Sequence, residues 1–505
     1  MSNAPAPARA SHVATTLAQN RLGIPAVIFF VMAAAAPLTV AAGGVTAGYA
    51  ITGQISMPVA YLAVATILML FAVGYVTMSR HVINAGAFYT YITRGLGRPA
   101  GTGGAFVALL AYNAMQIGLY GGFGVVLKQF LQTHADINLH WLVCALIGWV
   151  AVAVLGVLRV DLNGKVLAVL LIGECVVALA FSAVMVGNPA EGQISVATLN
   201  PELLLSAGIG AALVTAVTGF VGIEATVVLS EETKDPKRTV ARATYLAVGI
   251  IGVLYAGAAW AMSVATGPAN IVERAGTDGP QLIFNLVNPY VGQTVITLGE
   301  LLFVTSLFAA LLAFHNTVAR YAFALGRERV LPAAFGRTSP RTAAPVVGST
   351  AQTLLALAVL IGYAVSGADP YVHLFFWITV TGGLGVLVLM VLTSAAVIAF
   401  FAKDSRGENN FRTFVAPALA TFLLGLVLII TLKEFDTLLG VAPTSPLRWA
   451  FPAAYLAVLL LGACWAFWLK GMRPAVYAEI GRGANAGKRS TASPEVAQPG
   501  ERVRS

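Results

Sequence analysis

The chain carries little charge for its length. Only 10% of its 505 residues are Asp, Glu, Lys or Arg, whereas soluble domains carry about 25%. Hydrophobic residues make up 58% of the chain, the mean hydropathy is +0.82, and no polar stretch is long enough to form a soluble domain. These deficits argue against a soluble globular protein and indicate a membrane domain whose solvent is the lipid bilayer.

Cysteine and catalytic side chains are also scarce. The three cysteines, Cys144, Cys175 and Cys464, all lie in apolar runs, which argues against a disulfide framework or a metal cluster. The few acids and histidines form no nucleophile–base constellation, so we expect neither an enzyme nor a bound cofactor or metal. The net charge of +9 comes mostly from basic loops between apolar runs, so no nucleic-acid partner is expected.

The chain is rich in apolar runs that are long enough to cross a membrane. About 20 residues span the hydrocarbon core, and the absence of a two-residue period favours helices over a barrel. Residues 22–470 are therefore predicted to form one transmembrane domain, between disordered cytoplasmic tails at 1–21 and 471–505. About twelve spans are predicted, near 24–50, 57–79, 101–130, 139–158, 166–187, 203–230, 244–266, 291–325, 345–365, 371–401, 413–432 and 448–469.

Basic residues indicate the orientation of the spans. Segments that an even topology assigns to one side hold most of the arginines and lysines, for example Lys234–Arg242 and Arg327–Arg341. By the positive-inside rule these segments, and both termini, are predicted to be cytoplasmic. We therefore expect a multi-pass protein of the cytoplasmic membrane, surrounded by lipid.

Two spans are interrupted at matching positions, because each opens a block of five spans. The first contains Ala33–Pro37 followed by Gly43-Gly44, and the sixth contains Thr218–Gly222. Matched interruptions in two halves are typical of transporters with an inverted repeat, whose substrate binds at the midplane between them. For either interruption alone, a kink without a chemical role is the alternative.

Two carboxylates are predicted to lie within the membrane. Glu224 directly follows the interruption of the sixth span, and Glu174 lies in the fifth. Nine residues at about 1.5 Å each place Glu174 about 13 Å from cytoplasmic Lys165, near the middle of the core. Such acids are functional candidates, since a buried carboxylate must be paired, protonated or hydrated. Glu174 is predicted to release a proton during transport, to bind a cation or to pair within the bundle.

Three stretches resemble the amino acid–polyamine–organocation (APC) permeases. Residues 79–101 are similar to the Gly-rich, Tyr-containing first cytoplasmic loop of that family. Gly219–Glu224 and the following Glu231–Arg238 resemble the sixth-helix signature and its exit, and Ala319–Arg327 resembles the end of the eighth helix. The order and spacing of these motifs extend the resemblance over about residues 22 to 470.

The resemblance implies an all-helical membrane protein with a five-plus-five inverted repeat and two extra helices. It implies alternating access, with the substrate's amino-acid backbone bound by the interrupted first and sixth helices. The first-helix stretch departs from the family's Gly-rich pattern, and alanine is less permissive of unwinding than glycine. The residues that match the family's binding positions are Ala34, Ala35, Ala36 and Pro37 on the first helix and Thr218, Gly219, Phe220 and Gly222 on the sixth.

Further side-chain candidates follow from the same alignment. Gln116 matches a substrate-facing position on the third helix, with an interhelical hydrogen bond as its alternative role. Phe314 matches a substrate-covering aromatic on the eighth helix, with packing as its alternative. Glu174 stands where some relatives carry a lysine that substitutes for a sodium ion. We therefore expect Glu174 to carry proton coupling and Glu224 to organise the site.

The sequence thus predicts a secondary active transporter of an amino acid or related small amine, driven by protons. Its expected partners are that small molecule, membrane lipid and protons. An exchanger without net proton coupling is the alternative. A channel would need a pore-like signature, and a nutrient sensor usually carries a long cytoplasmic domain; the chain contains neither feature.

Overall fold

The computed structural model of the chain describes residues 22–82, 86–158 and 160–483, with residues 160–170 described by their backbone alone. Within these ranges the fold is helical and contains no β-strand, only an isolated bridge between Leu22 and Thr233. The all-helical class predicted from the sequence is confirmed. The predicted tail at 1–21 and residues 484–505 of the second tail lie outside the described residues.

The helices follow the apolar runs of the sequence. In the described ranges, ten helices are long and apolar enough to cross a membrane, and Trp141–Leu155 and Leu171–Gly187 are shorter apolar helices. The number of crossings and the inverted repeat remain predictions. The helices are α1 (Ile24–Thr52), α2 (Met57–Ser79), α3 (Arg98–Ala135), α4 (Trp141–Leu155), α5 (Val160–Gly187), α6 (Ile209–Val228), α7 (Pro236–Thr266), α8 (Gln293–Arg327), α9 (Val346–Ser366), α10 (Pro370–Phe401), α11 (Phe411–Lys433) and α12 (Leu447–Met472).

Helix α1 is interrupted where the sequence predicts. Its first part ends at Ala35, and Ala36 adopts a left-handed conformation with φ 45°. Proline lacks an N–H and its ring crowds the carbonyl of the residue four positions earlier, so Pro37 prevents a regular helix here. The chain continues through the π-helical turns of Thr39–Val45 before an α-helix resumes.

Helix α6 is interrupted by a glycine that other residues could not easily replace. Its first part ends at Phe220, and a short helix resumes at Ala225–Val228. Between them Gly222 has φ 119°, a conformation open to glycine and strained for residues with a Cβ. The predicted span at 203–230 begins later than expected, because Pro201–Leu205 forms a separate 3₁₀ turn.

Burial separates inner helices from outer ones. The apolar window of α6 is 94% buried, whereas that of α12 is only 17% buried. Helix α3 packs against α8, α10 and α12, and α1 packs against α5, α7 and α8. Outer helices expose large apolar side chains, such as Leu460 of α12 and Phe422 of α11, as expected where the neighbour is lipid.

The beginning of α1 is joined to the exit of α6. The Leu22 N–H donates to the Glu232 carbonyl oxygen at 3.0 Å, and the Lys234 N–H donates to the Leu22 carbonyl oxygen at 2.9 Å. The Glu232 carboxylate accepts from Arg320 Nε of α8 at 2.8 Å, and both side chains are 3% exposed. We call Leu22, Glu232, Lys234 and Arg320 the closure cluster, since they tie three elements together at this end of the bundle.

The predicted disordered tail at 471–505 is wrong for its first part. A short helix at Pro474–Glu479 follows α12, and the N–H groups of Gly481 and Gly483 donate to the Glu328 carboxylate at 2.7 and 2.6 Å. Tyr89 donates to the same carboxylate. Composition could not reveal this order, because it depends on an acid more than 150 residues earlier.

Candidate substrate site

The two helix interruptions meet inside the bundle. A Cβ added at Gly222 would lie 2.6 Å from the Cβ of Ala34, so the broken parts of α1 and α6 are in direct contact. Beside this contact lies a small cavity of about 50 Å³, which has room for a few water-sized groups. It is lined by Ala34, Ala35, Ala36, Thr39, Val40, Gly44, Tyr61, Met115, Leu119, Thr215, Thr218, Gly219, Val221, Ala310, Phe314, Phe375, Phe376, Thr379 and Val380.

Six of the predicted substrate-binding residues line this cavity, and four do not. Pro37 and Gly222 shape the two interruptions instead. Phe220 packs against the rings of Tyr61 and Tyr255, with ring centroids 6.3 and 6.1 Å apart. The six lining residues are Ala34, Ala35, Ala36, Thr218, Gly219 and Phe314.

Helices α2 and α10 contribute cavity residues that sequence reasoning missed. Tyr61 comes from α2, and Phe375, Phe376 and Thr379 come from the first turns of α10. One signal was present: Gly382-Gly383 permits close packing of α10, and a Cβ at Gly383 would lie 1.9 Å from Oγ1 of Thr218. Nothing local to Tyr61 distinguishes it from other aromatics in apolar runs.

Gln116 lies in a buried polar network rather than in the cavity wall. Its Nε2 is 3.3 Å from Nδ1 of His315, and Gln352 donates to its Oε1. Nε2 of His315 is in turn 2.7 Å from Oγ of Ser349. The network joins α3, α8 and α9, which matches the interhelical role that the sequence left open for Gln116.

Both oxygens of Glu224 are engaged at the α6 interruption. Tyr112 of α3 donates to Oε1 at 2.6 Å, and the Gly222 N–H donates to Oε2 at 3.0 Å. The backbone carbonyl of Glu224 also accepts from Tyr75 of α2 at 3.3 Å. The carboxylate therefore satisfies a backbone group that the break exposes and ties α6 to α3.

Glu174 occupies the corresponding position behind the α1 interruption. It is 1% exposed, and its carboxyl group contacts the Ser306 hydroxyl of α8 and the backbone N–H of Leu38. Thr39 donates to Ser306 Oγ from its N–H at 3.1 Å and from its hydroxyl at 3.0 Å. Oε2 of Glu174 has no hydrogen-bond partner among the residues that the structure describes.

The site contains no metal-binding constellation in the described ranges, where no three His, Cys, Asp or Glu side chains are grouped to hold an ion. Glu224 lies at the α6 interruption and is bonded to α3, whereas Glu174 lies at the α1 interruption and is bonded to α1 and α8. The arrangement is that of a cavity between interrupted helices, with one carboxyl group behind each interruption.

Comparison with known proteins identifies the family. The amino acid permease family matches residues 26–473, nearly the whole chain. The chain belongs to this family. The resemblance to APC permeases is thereby confirmed, and the protein is a membrane transporter.

Individual relatives share 25–29% of their aligned residues with this chain. The low-affinity putrescine importer PlaP of Escherichia coli (strain K12) is 25% identical over 400 residues, covering 76% of this chain and 82% of PlaP. The uncharacterized transporter Rv1999c of Mycobacterium tuberculosis (strain H37Rv) is 29% identical over 225 residues, covering 41% of this chain and 49% of that protein.

A solved structure supports the fold alone. A mutant of the Eremococcus coleocola manganese transporter superposes with a TM-score of 0.58 at 13% identity. The alignment covers 92% of this chain and 98% of that one. The helical arrangement is therefore that of a known transporter fold.

Proposed function

We propose that the protein is a secondary active transporter that moves an amino acid or related small amine across the cytoplasmic membrane by alternating access, coupled to protons. The observation that carries this proposal is the meeting of two interrupted helices at one cavity. Non-helical backbone is tolerated at membrane depth where it is buried in protein or lines a cavity, and transporters place their substrates there. The putrescine importer among the relatives supports an amine or amino acid as cargo.

Alternating access requires one end of the cavity to close while the other opens. The closure cluster supplies such a contact, because Arg320 of α8 and Leu22 before α1 both bind Glu232 after α6. The basic segments Lys234–Arg242 and Arg327–Arg341 lie at this end, which makes it the cytoplasmic end under the positive-inside rule.

Glu174 is the proposed carrier of the coupling proton. It contacts α1 through Leu38 and α8 through Ser306, so its environment changes if α1 moves relative to α8. Its Oε2 has no hydrogen-bond partner among the described residues, so this atom can accept a proton or bind a cation. Glu224 has both oxygens engaged and is proposed to organise the α6 interruption instead.

An exchanger without net proton coupling is the second candidate. It is favoured by the hydrogen bonds of Glu224 to Tyr112 and Gly222, because they give one of the two buried acids a structural role. In that case Glu174 would stabilise the α1 interruption in every conformation. The two candidates differ in whether a pH gradient alone can drive accumulation.

The test is uptake of radiolabelled amino acids and amines into proteoliposomes under an imposed pH or sodium gradient. We expect saturable uptake driven by an inward proton gradient, with counterflow. Counterflow without gradient-driven accumulation would support the exchanger. Binding without flux would indicate a sensor, and flux without saturation a channel; either result contradicts the proposal. Protein-free liposomes provide the background.

A further inference from the structure

The backbone N–H groups at the α1 interruption are already engaged. Ala36 donates to the Met32 carbonyl oxygen at 2.8 Å, and Val40 donates to the Ala36 carbonyl oxygen at 3.0 Å. The Leu38 N–H contacts Glu174, and the Thr39 N–H donates to Ser306. Proline at position 37 has no N–H to offer. The start of the second part of α1 therefore presents no free donor to a ligand carboxylate.

The donors at the α6 interruption are engaged in the same way. The Val221 N–H donates to the Thr218 carbonyl oxygen at 3.2 Å, and the Ile223 N–H donates to that of Phe220 at 3.3 Å. The N–H between them, on Gly222, is bound by the Glu224 carboxylate at 3.0 Å. Here too a protein carboxylate already takes the donor that a substrate carboxylate would need.

Two residues of the cavity wall, by contrast, have backbone carbonyl oxygens that have lost their helical donors. Ala34 would bond to the N–H of residue 37 or 38, but the first is proline and the Leu38 N–H contacts Glu174. Gly219 would bond to the N–H of residue 222 or 223, and both bind elsewhere. Because Ala34 and Gly219 both line the cavity, the breaks offer acceptors rather than donors.

The side chains of the cavity wall reinforce this imbalance. Thr215, Thr218 and Thr379 donate their hydroxyl protons to carbonyl oxygens of their own helices, at 2.8, 2.8 and 2.6 Å. The wall, as far as the structure describes the chain, contains no lysine, arginine or histidine. The Tyr61 hydroxyl is a donor without a protein partner in the described ranges. One hydroxyl cannot replace the several donors that a buried carboxylate requires.

We infer that the substrate is a primary amine without a carboxylate, with an apolar or aromatic body. The inference rests on the proposed function and restricts its substrate class from amino acids and amines to monoamines. An ammonium group has three donors and no acceptor, so it matches the Ala34 and Gly219 carbonyls. The aromatic rings of Phe314 and Phe376 at the wall are attractive to a cation. Glu174 and Glu224, one behind each break, place a carboxyl group in a second layer around the amine.

The remainder of the cavity indicates one amine rather than two. Val40, Met115, Leu119 and Val380 make this part of the wall apolar, and the wall, where the structure describes the chain, contains no carboxylate to pair with a second ammonium. A charge buried there without a partner is strongly unfavourable, whereas an alkyl or aryl group is favoured. A monoamine should therefore bind better than a diamine of the same length.

The experiment measures binding to the full-length protein of monoamines and of matched compounds that carry an additional carboxylate or a second amine. The pairs are 3-methylbutylamine with leucine, 2-phenylethylamine with phenylalanine, and butylamine with putrescine as the diamine. Thermal stabilisation gives affinity, and proteoliposome uptake gives transport. We expect each monoamine to bind at least about 100-fold more tightly than its amino acid or diamine counterpart, because the unpaired group stays buried.

A pair of aromatic variants tests the cavity itself. Phe314 lines it, whereas Phe308 of the same helix packs against Phe123 with ring centroids 6.4 Å apart. Phe314→Leu should weaken monoamine binding about threefold to thirtyfold, the range expected for a lost cation–π contact, and Phe308→Leu should leave it unchanged. Equal effects of the two variants would contradict placement of the amine in this cavity.

The outcomes separate the inference from the proposed function. Saturable uptake of amino acids at affinities equal to or above those of the amines would overturn the inference and leave the transporter proposal standing. Putrescine binding as tight as butylamine would overturn the choice of a monoamine. Failure to transport any amine, diamine or amino acid of the wider panel would contradict the proposed function itself.

Discussion

The closure cluster makes a quantitative prediction about conformation. Arg320 and Glu232 form an ion pair with Nε and Oε1 2.8 Å apart, and each side chain is only 3% exposed. Arg320 Nη1 also donates to the Asn316 carbonyl oxygen at 3.2 Å. Arg320→Met keeps much of the apolar stem but leaves the Glu232 carboxylate buried without its partner. Removing one member of a buried pair typically destabilises the state that contains it by about 3–5 kcal/mol.

That destabilisation should fall on the closed state. If opening this end of the bundle hydrates Glu232, the open state does not carry the penalty, and the closed-to-open ratio falls by about 150- to 5,000-fold. Replacing both residues by methionine should recover most of the loss, because apolar residues of similar volume can substitute for a buried pair. The double variant thereby distinguishes a lost interaction from a damaged helix.

The assay is the rate at which a polar thiol reagent labels a cysteine at Val228, which is 1% exposed in the short helix after the α6 interruption. The three native cysteines are first replaced. Arg320→Met should raise the labelling rate strongly, and the double methionine variant should return it towards the original rate. Arg238→Met is the matched control, because its pairing atoms lie 4.0 Å from Asp235 and its side chain is 79% exposed. Exposed pairs contribute about 0–1 kcal/mol.

The reasoning is refuted if folded Arg320→Met protein labels at the same rate as the unmodified protein. Lower thermal stability with unchanged labelling would mean that the pair supports folding and not closure. An increase in the Arg238→Met control equal to that in Arg320→Met would mean that surface charge, and not the buried pair, controls access.

Three further predictions concern the cavity, coupling and orientation. Gly219→Val should abolish thermal stabilisation by substrate, because even its Cβ would lie 3.0–3.1 Å from Tyr61, while Gly257→Val, at a site with nothing within 4 Å, should retain it; retained stabilisation in the first variant would move the site elsewhere. Glu174→Gln should preserve exchange but lose pH-driven accumulation, and unchanged pH dependence would eliminate Glu174 as the coupling residue. A cysteine at Lys237 should resist an impermeant thiol reagent added outside intact cells; labelling there would reverse the proposed orientation.

Much of the helical fold could be predicted because membrane helices leave a local signal. Apolar runs of spanning length are visible without knowledge of their neighbours. The α1 interruption was equally local, since Pro37 removes a backbone donor whatever surrounds it. At the α6 interruption Gly222 supplies the conformation with φ 119°. These features depend on a few adjacent residues, and the sequence contains them all.

The cavity wall was less predictable because it depends on packing between distant segments. Tyr61 and Phe375 approach the interruptions only after α2 and α10 have packed around them. Gln116 could have faced a ligand, but its partner Gln352 lies 236 residues away and draws it into a network. No sequence pattern near Gln116 or Gln352 predicts that the two side chains are in contact.

The two buried acids also differ in whether their contacts are local or join distant segments, and this difference bears on coupling. Glu224 binds Gly222, two residues earlier in its own helix, so that contact can persist while α6 moves as a unit. Glu174 instead reaches from α5 to Leu38 of α1 and Ser306 of α8. A movement of α1 away from α5 or α8 must break at least one of these contacts and expose a carboxylate that then gains from binding a proton or cation. An acid whose partners lie on separate moving elements can couple ion binding to conformation, and this is why Glu174 is the sharper candidate of the two.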